Sequence, residues 1–298
     1  MNSTARFNEL LNTLKASWAG LPDKPDETPE TTLRAIWQHV CQEQTDELHP
    51  PHLTDDQYAK VLELVDLRLN GTPLAYLIGS QEFMGIGFLA SPQAMIPRKE
   101  TEILGKAAVE TARSLVEERH IIQAMDICTG SGNIALALAY YVKESRVFGS
   151  DVSPEAVALA KRNAEHLHLT ERVNFFVGDL FAPFEQDGFH QQMDLITCNP
   201  PYISSANVEK MAGEIVRHEP RLAFDGGHFG IQVMTRFLRE APRYLRHGGW
   251  ICFEVGVGQG QGMMTMVKRT GFYDSLQSFS DEDSNIRVIK ARLDGSGQ

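Results

Sequence analysis

From residue 121 onward, short apolar runs alternate with segments of helical spacing, and the early runs all end on polar groups. AMDICT carries Asp126 and leads into Gly130-Ser131-Gly132. RVFGSDV carries Asp151, VNFFVGDL carries Asp179, and MDLITCNP runs into Asn199-Pro200-Pro201-Tyr202. Between them lie IALALAYYV and EAVALAKRNAEHL, whose apolar residues recur at helical spacing. Alternating strand and helix predicts an α/β fold with a mostly parallel sheet covered on both faces. The later runs GGWICFEVG, FYDSLQSFSD and IRVIKARL extend the sheet. The last two have no helix between them, which predicts an antiparallel pairing at one end. A parallel sheet gathers the carboxyl ends of its strands at one edge, where ligands of such folds bind. The polar strand ends are therefore expected to meet.

The first part of the chain has a different texture. NELLNTLKASW, TTLRAIWQHVCQEQ and TDDQYAKVLELVDLRLN carry apolar residues three and four apart, separated by the Pro-rich stretches LPDKPDETPE and LHPPHLT. Thr54 with Gln57 has the spacing of a capping box. These patterns predict a small helical domain over 1–75. Gly71, Gly79, Gly85 and Gly87 then interrupt what read as short apolar strands, predicting a β-hairpin or linker over 76–100. The α/β domain takes 101–298, with DGSGQ as a loose tail.

The net charge of −11 and the lack of any Lys/Arg run argue against a nucleic acid as direct partner. An acidic surface suits a basic protein better. No apolar run approaches the roughly 20 residues that cross a bilayer. The amphipathic first segment lacks the apolar core of a signal peptide, so a cytoplasmic location and no membrane partner are expected. Of the four cysteines, Cys128, Cys198 and Cys252 fall inside predicted strands and read as core thiols. The ten histidines show no zinc-site spacing, and no metal is expected.

Gly130 and Gly132 match the first two glycines of a dinucleotide fingerprint, but Ala135 fills the third place. Asp126 lies in the same turn, where it would repel a pyrophosphate. A ligand bearing positive charge tolerates it, and S-adenosylmethionine carries a sulfonium and an α-ammonium. Asp151, 19 residues after Gly132, is placed to accept from ribose hydroxyls. Asp179 can accept from an adenine amino group, with Leu180 or Phe181 beside the ring.

Two consecutive prolines stop a strand and stiffen what precedes them. In Asn199-Pro200-Pro201-Tyr202 they leave two acceptors close together, the Asn199 side-chain oxygen and the Pro200 carbonyl. A planar amide or ring nitrogen attacks a methyl group poorly because its lone pair is delocalised. Two acceptors on its two N–H groups would orient it and favour pyramidal geometry. Tyr202 offers a flat face to the nucleophile and a cation–π contact to a sulfonium methyl.

Together these segments resemble the class I S-adenosylmethionine-dependent N-methyltransferases, whose sheet is Rossmann-like. NPPY alone is shared by adenine-N6 DNA methyltransferases and protein-(glutamine-N5) methyltransferases. The stretches PLAYLIGSQEF, IPRKETE, EPRLAFDGGHFG and FEVGVGQG resemble the latter, the HemK/PrmC-like release factor enzymes, in order along the chain. The chain departs from the family pattern at Lys99 and at His228 and Phe229.

The resemblance implies that Asp126, Thr129, Gly130 and Gly132 line the methyl donor, yielding S-adenosylhomocysteine. It further implies that Asp151 and Val152 hold the ribose, and that Asp179 and Leu180 hold the adenine. Asn199 would touch both donor and acceptor; with Pro200, Pro201 and Tyr202 it would hold the glutamine amide. Arg98, Thr101 and Glu102 would help close the substrate site, with Glu254 a further candidate near the cofactor side. The implied acceptor is the Gly-Gly-Gln loop of a release factor, then a ribosomal protein glutamine, then a small-molecule nitrogen.

Overall fold

The computed structural model describes residues 3–18, 24, 27–45, 49–186, 188–211 and 213–295. Half of LPDKPDETPE and the last three residues of the DGSGQ tail lie outside them. The chain forms two compact units, Met1–Ser80 with Gly213–His218, and Gln81–Ala212 with Glu219–Gln298.

In the first unit, α1 (Ser3–Ser17), α2 (Pro29–Cys41), α3 (Asp55–Leu69) and α4 (Leu74–Ile78) follow one another. Thr54 and Gln57 form the expected reciprocal capping box, and Thr28 with Thr31 forms a second one. Leu33, Ile36 and Trp37 of α2 meet Val61, Leu64 and Val65 of α3 around Phe7 and Leu14. The Trp37 indole donates to the Pro51 carbonyl at 3.1 Å, so its one polar atom is satisfied inside the core. LAYLI, expected as strand, is the helix α4. A five-residue apolar run cannot be assigned by periodicity alone. Here Pro73 stands at its start and Gly79 ends it in the left-handed conformation, while Leu74, Leu77 and Ile78 share the face that joins the helical core.

The second unit begins with the expected hairpin, β1 (Ser80–Phe83) and β2 (Ile86–Leu89). There follow α5 (Glu102–Arg119), β3 (Ile122–Ile127), α6 (Asn133–Tyr141), β4 (Ser145–Asp151), α7 (Pro154–His166), β5 (Val173–Val177) and β6 (Met193–Cys198). After β6 come α8 (Ser205–Val208), α9 (Gly213–His218, counted with the first unit), α10 (Gln232–Glu240), β7 (Leu245–Glu254), α11 (Gly260–Thr270), β8 (Tyr273–Ser280) and β9 (Ile286–Leu293). Seven strands form one sheet in the order β5-β4-β3-β6-β7-β9-β8. β3 to β7 are parallel, and β9 inserts antiparallel between β7 and β8. This is the Rossmann-like sheet that the alternating runs predict.

Strand alternation divides the core. Ala124, Leu195 and Cys252 face the side covered by α5, α6 and α7, whereas Met125, Ile127, Ile196 and Phe253 face α10 and α11. Chain order reverses at β3, which has β4 on one side and β6 on the other. Ile127 pairs with Ser150 and with Cys198, so the three strands end level. Among the described residues, no helix is long and apolar enough to cross a membrane. Cys198 and Cys252 are buried as expected, but Cys128 falls beyond the end of β3, half-buried, with φ +60°. The glycine-rich turn starts one residue earlier than the apolar pattern suggests.

Candidate active site

A cavity of about 320 Å³ opens over the ends of β3, β4 and β6. It lies at the switch point, the place where open α/β sheets bind their ligands. Asp126, Asp151, Asp179 and Asn199, each taken from a different strand end, all line it. So do Thr129, Gly130, Val152, Leu180 and Pro201. Of the other expected residues, Gly132, Pro200, Tyr202, Arg98, Thr101, Glu102 and Glu254 do not line this cavity.

The turn after β3 explains its glycines. Gly130 has φ +55° and Gly132 φ +83°, values that cost other residues roughly 1–2 kcal/mol. A Cβ on Gly130 would meet nothing within 4 Å, because that position faces the open cavity. A Cβ on Gly132 would lie 2.8 Å from the Phe175 ring and 3.1 Å from Ala160. One glycine leaves room for a ligand; the other lets α6 start close against the sheet. Asn163, buried on α7, holds the turn by donating to the Ser131 carbonyl at 3.0 Å, and it accepts from Leu89 N–H at 2.7 Å.

Asp126 is 1% exposed. The Thr129 hydroxyl donates to it at 2.6 Å and the Thr197 hydroxyl at 2.7 Å. Burial pushes its carboxyl up to about 6, against those two hydroxyls and the Ala135 N–H. Asp151 accepts from Gly130 N–H and Ser153 N–H, each at 2.9 Å; burial raises its pKa as well. The Ser153 hydroxyl accepts from Ala156 N–H at 3.1 Å and caps α7, with Pro154 at its first position. Asp179 is exposed at the rim, where Arg236 of α10 reaches it at 2.9 Å. Leu180 is buried beside it, and its carbonyl accepts from the Ser150 hydroxyl at 2.7 Å.

Asn199 follows the last residue of β6. Its Nδ2 donates to the Thr101 hydroxyl at 3.3 Å, which leaves Oδ1 as the acceptor it can turn to a ligand. The NPPY loop is tied down beyond that point. Gln259 donates to the Tyr202 carbonyl at 2.9 Å and accepts from Gly256 N–H at 2.9 Å. Ile203 N–H reaches Phe224 O, and Gly226 N–H reaches Ile203 O. The Tyr202 hydroxyl donates to buried Glu254 at 3.0 Å; burial, then the Glu254 charge, raises its pKa.

Arg98 is engaged elsewhere. Its guanidinium pairs with Glu219, whose side chain is fully buried and also accepts from Ile96 N–H at 2.9 Å. The pair ties IPRKETE to EPRLAF, so that Pro97, with Met95 just before that segment, and Pro220 and Leu222 of the other wall the cavity. Glu102 accepts from Met84 N–H at 2.9 Å and anchors the hairpin. Thr197, Glu219 and Asn163 had no marked place in the sequence. A hydroxyl in the otherwise apolar LITC was the available signal for Thr197; Glu219 and Asn163 looked like ordinary surface and helix residues.

Residues 120–268 match the family described as a methyltransferase domain, and residues 14–79 match the PrmC N-terminal domain. The chain is 39% identical over 241 residues to the release factor glutamine methyltransferase of Geobacter sulfurreducens, covering 81% of this chain and 80% of that one. The enzyme of the same name from Moorella thermoacetica is 37% identical over 229 residues, covering 77% and 78%. Among solved structures, the human METTL16 catalytic domain bound to a MAT2A 3'UTR hairpin superposes with TM-score 0.56 at 14% identity, covering 90% of this chain and 93% of that one. The N-terminal domain of human METTL16 with S-adenosylhomocysteine gives 0.52 at 14%, covering 93% and 99%. These two share the fold.

Proposed function

Because the chain belongs to the release factor glutamine methyltransferase family, we propose that it methylates the side-chain nitrogen of a glutamine in a peptide chain release factor, with S-adenosylmethionine as donor. The observation that carries this reading is the Asn199 amide at the cavity wall. Thr101 takes its NH₂ group, so its oxygen is free for an acceptor N–H.

The residues present fit the donor. The cavity has an open face at Gly130, where even a Cβ would touch nothing, and a buried carboxylate in Asp126 suited to an ammonium group. Asp151 keeps lone pairs for ribose hydroxyls, and Asp179 stands at the rim for the adenine amino group. When bound, the donor supplies an electrophilic methyl carbon on its sulfonium.

The chain's own contribution is placement. Asn199 Oδ1 and the Pro200 carbonyl accept the two N–H bonds of the glutamine amide. They hold its nitrogen lone pair toward the methyl group and weaken its conjugation with the carbonyl. Tyr202 walls the acceptor side. The methylated nitrogen is briefly cationic and strongly acidic, so it gives its proton to water without a dedicated base. Positioning and electrostatics then carry the catalysis.

The test is tandem mass spectrometry after incubating the chain and the donor with release factors, ribosomal proteins and a metabolite extract. Methyl on the glutamine of a Gly-Gly-Gln loop is expected. Asn199→Ala should abolish that product while S-adenosylhomocysteine binding persists. Methyl on a ribosomal protein alone, or on a small molecule alone, would refute the release-factor assignment.

A further inference from the structure

Gln259 stands at the N-cap position of α11, where serine, threonine, aspartate and asparagine are favoured, yet its side chain makes no capping bond. It reaches away from the helix instead. Its Oε1 accepts from Gly256 N–H at 2.9 Å. Its Nε2 donates to the Tyr202 carbonyl at 2.9 Å and to the Gly230 carbonyl at 3.4 Å. These partners are backbone groups of three loops: the turn after β7, the NPPY loop, and DGGHFG (residues 225–230) ahead of α10. A primary amide suits this set, because it accepts from one N–H and donates to two carbonyls.

The NPPY loop and DGGHFG are fitted closely together. Ile203 N–H donates to the Phe224 carbonyl at 3.0 Å, Gly226 N–H to the Ile203 carbonyl at 2.8 Å, and Ser205 N–H to the Gly227 carbonyl at 3.0 Å. The Ser205 hydroxyl and the Gly227 N–H both donate to Asp225, at 2.6 and 3.1 Å. A Cβ on Gly226 would overlap the Pro201 carbonyl oxygen, and one on Gly230 would overlap the Tyr202 carbonyl oxygen. Both carbonyls that follow Pro200 are thus packed against a glycine backbone. The rings of Pro200 and Pro201 fix their φ angles. Few soft torsions therefore separate the Tyr202 carbonyl, which Gln259 holds, from the Pro200 carbonyl.

We propose that Gln259 is a positioning residue for methyl transfer: by holding the Tyr202 and Gly230 carbonyls and the Gly256 N–H at once, it fixes the NPPY loop and with it the direction of the Pro200 carbonyl. This rests on the glutamine-methylation reading, in which that carbonyl receives one N–H of the acceptor amide. Gln259 and Tyr202 do not line the donor cavity, whereas Pro201 does. Loss of the Gln259 bonds should therefore fall on turnover and spare donor binding.

The experiment uses the full chain, a release factor and saturating S-adenosylmethionine. Gln259→Glu keeps the side-chain size and an oxygen for the Gly256 N–H, but when ionised it sets a second oxygen against two carbonyls. At about pH 8 its kcat should fall about tenfold or more, the scale of a misplaced reacting group, with S-adenosylhomocysteine affinity unchanged. Protonation returns a donor for the Tyr202 carbonyl, and facing carbonyls favour the neutral form. The ratio of its kcat to the wild-type kcat should therefore climb several-fold from about pH 8 to about pH 6. Gln259→Met should show the same loss with a ratio that stays flat. Asp225 and His228 of the neighbouring loop, Glu254 at the end of β7 and Arg287 of β9 are common to all three proteins, so their titration cancels in the ratio. Wild-type kcat in Gln259→Met, or a flat ratio in Gln259→Glu, overturns the inference while leaving glutamine methylation standing. So does an equal loss of kcat and S-adenosylhomocysteine affinity, which would make Gln259 a support of the whole site. A wild-type chain that methylates no release factor overturns both readings. If Gln259→Met does not fold, the pH response of Gln259→Glu decides.

Discussion

Asp126→Asn should make the free protein more stable and a worse binder of its methyl donor. The Asp126 carboxyl is fully buried, and its pKa rises from 3.8 to about 6. A shift of that size means that holding the charged form at neutral pH costs the fold about 3 kcal/mol. The sign follows from proton binding. Between the two pKa values the folded chain holds a proton that the unfolded chain releases, so stability from this group is present at low pH and lost as pH rises through about 6. Asparagine never carries the charge. Its NH₂ can be accommodated, because the Thr197 hydroxyl already reaches the Met125 carbonyl at 3.2 Å and can turn its proton there while accepting from the new amide. Thermal unfolding should therefore show the variant above the wild type at pH 7 by several degrees, at about 2–4 °C per kcal/mol for a domain of this size. The gap should close toward pH 4. On the proposed function, calorimetric titration with S-adenosylhomocysteine should show affinity reduced about tenfold or more, since the carboxylate proposed to face the ammonium is lost. A variant of lower thermal midpoint with unchanged ligand affinity would refute the reasoning and make Asp126 a structural acid.

Gly132→Ala should cost about 2–4 kcal/mol, because it adds left-handed strain to a 2.8 Å clash with Phe175. Gly130→Ala should cost only about 1–2 kcal/mol, the strain alone, yet lose S-adenosylhomocysteine affinity; urea unfolding and calorimetry on both variants separate the two roles. Glu219→Ala leaves Arg98 without its buried carboxylate and should destabilise by about 3–5 kcal/mol. Glu219→Gln can still accept from Ile96 N–H and should lose less in the same unfolding assay.

The sheet and its polar edge were legible because period-2 runs, helical runs and strand-terminating residues agreed. AMDICT, RVFGSDV and MDLITCNP became β3, β4 and β6 within a residue or two. LAYLI was misread because five apolar residues carry no period. Its helical state is decided by Leu74, Leu77 and Ile78 joining a core whose other members lie up to 71 residues earlier. The Arg98–Glu219 pair was illegible for a similar reason. The partners are 121 residues apart, and nothing local marks either as buried. Arg98 and Glu102 were expected at the substrate; the fold uses Arg98 to join two cavity walls and Glu102 to fix the hairpin.

Buried and half-buried acids of the second unit fall into two kinds. Asp194 is fully buried at the start of β6, where Arg119 reaches it at 2.5 Å and Arg246 at 3.1 Å. Glu219 is held by Arg98. These carry their own cations, and removing a partner should cost stability. Asp126 and Asp151 have no cation within ion-pair distance among the described residues; hydroxyls and backbone N–H groups satisfy them, and burial raises both pKa values. A fold with no use for such groups would gain by replacing them, since an unpaired buried carboxylate is costly. Both stand at strand ends over one cavity, beside an open glycine. On the proposed function, a donor that carries an ammonium group and a ribose would supply the missing positive charge and the missing hydroxyl donors, which would join the unfavourable electrostatics of the free protein to the chemistry of the site.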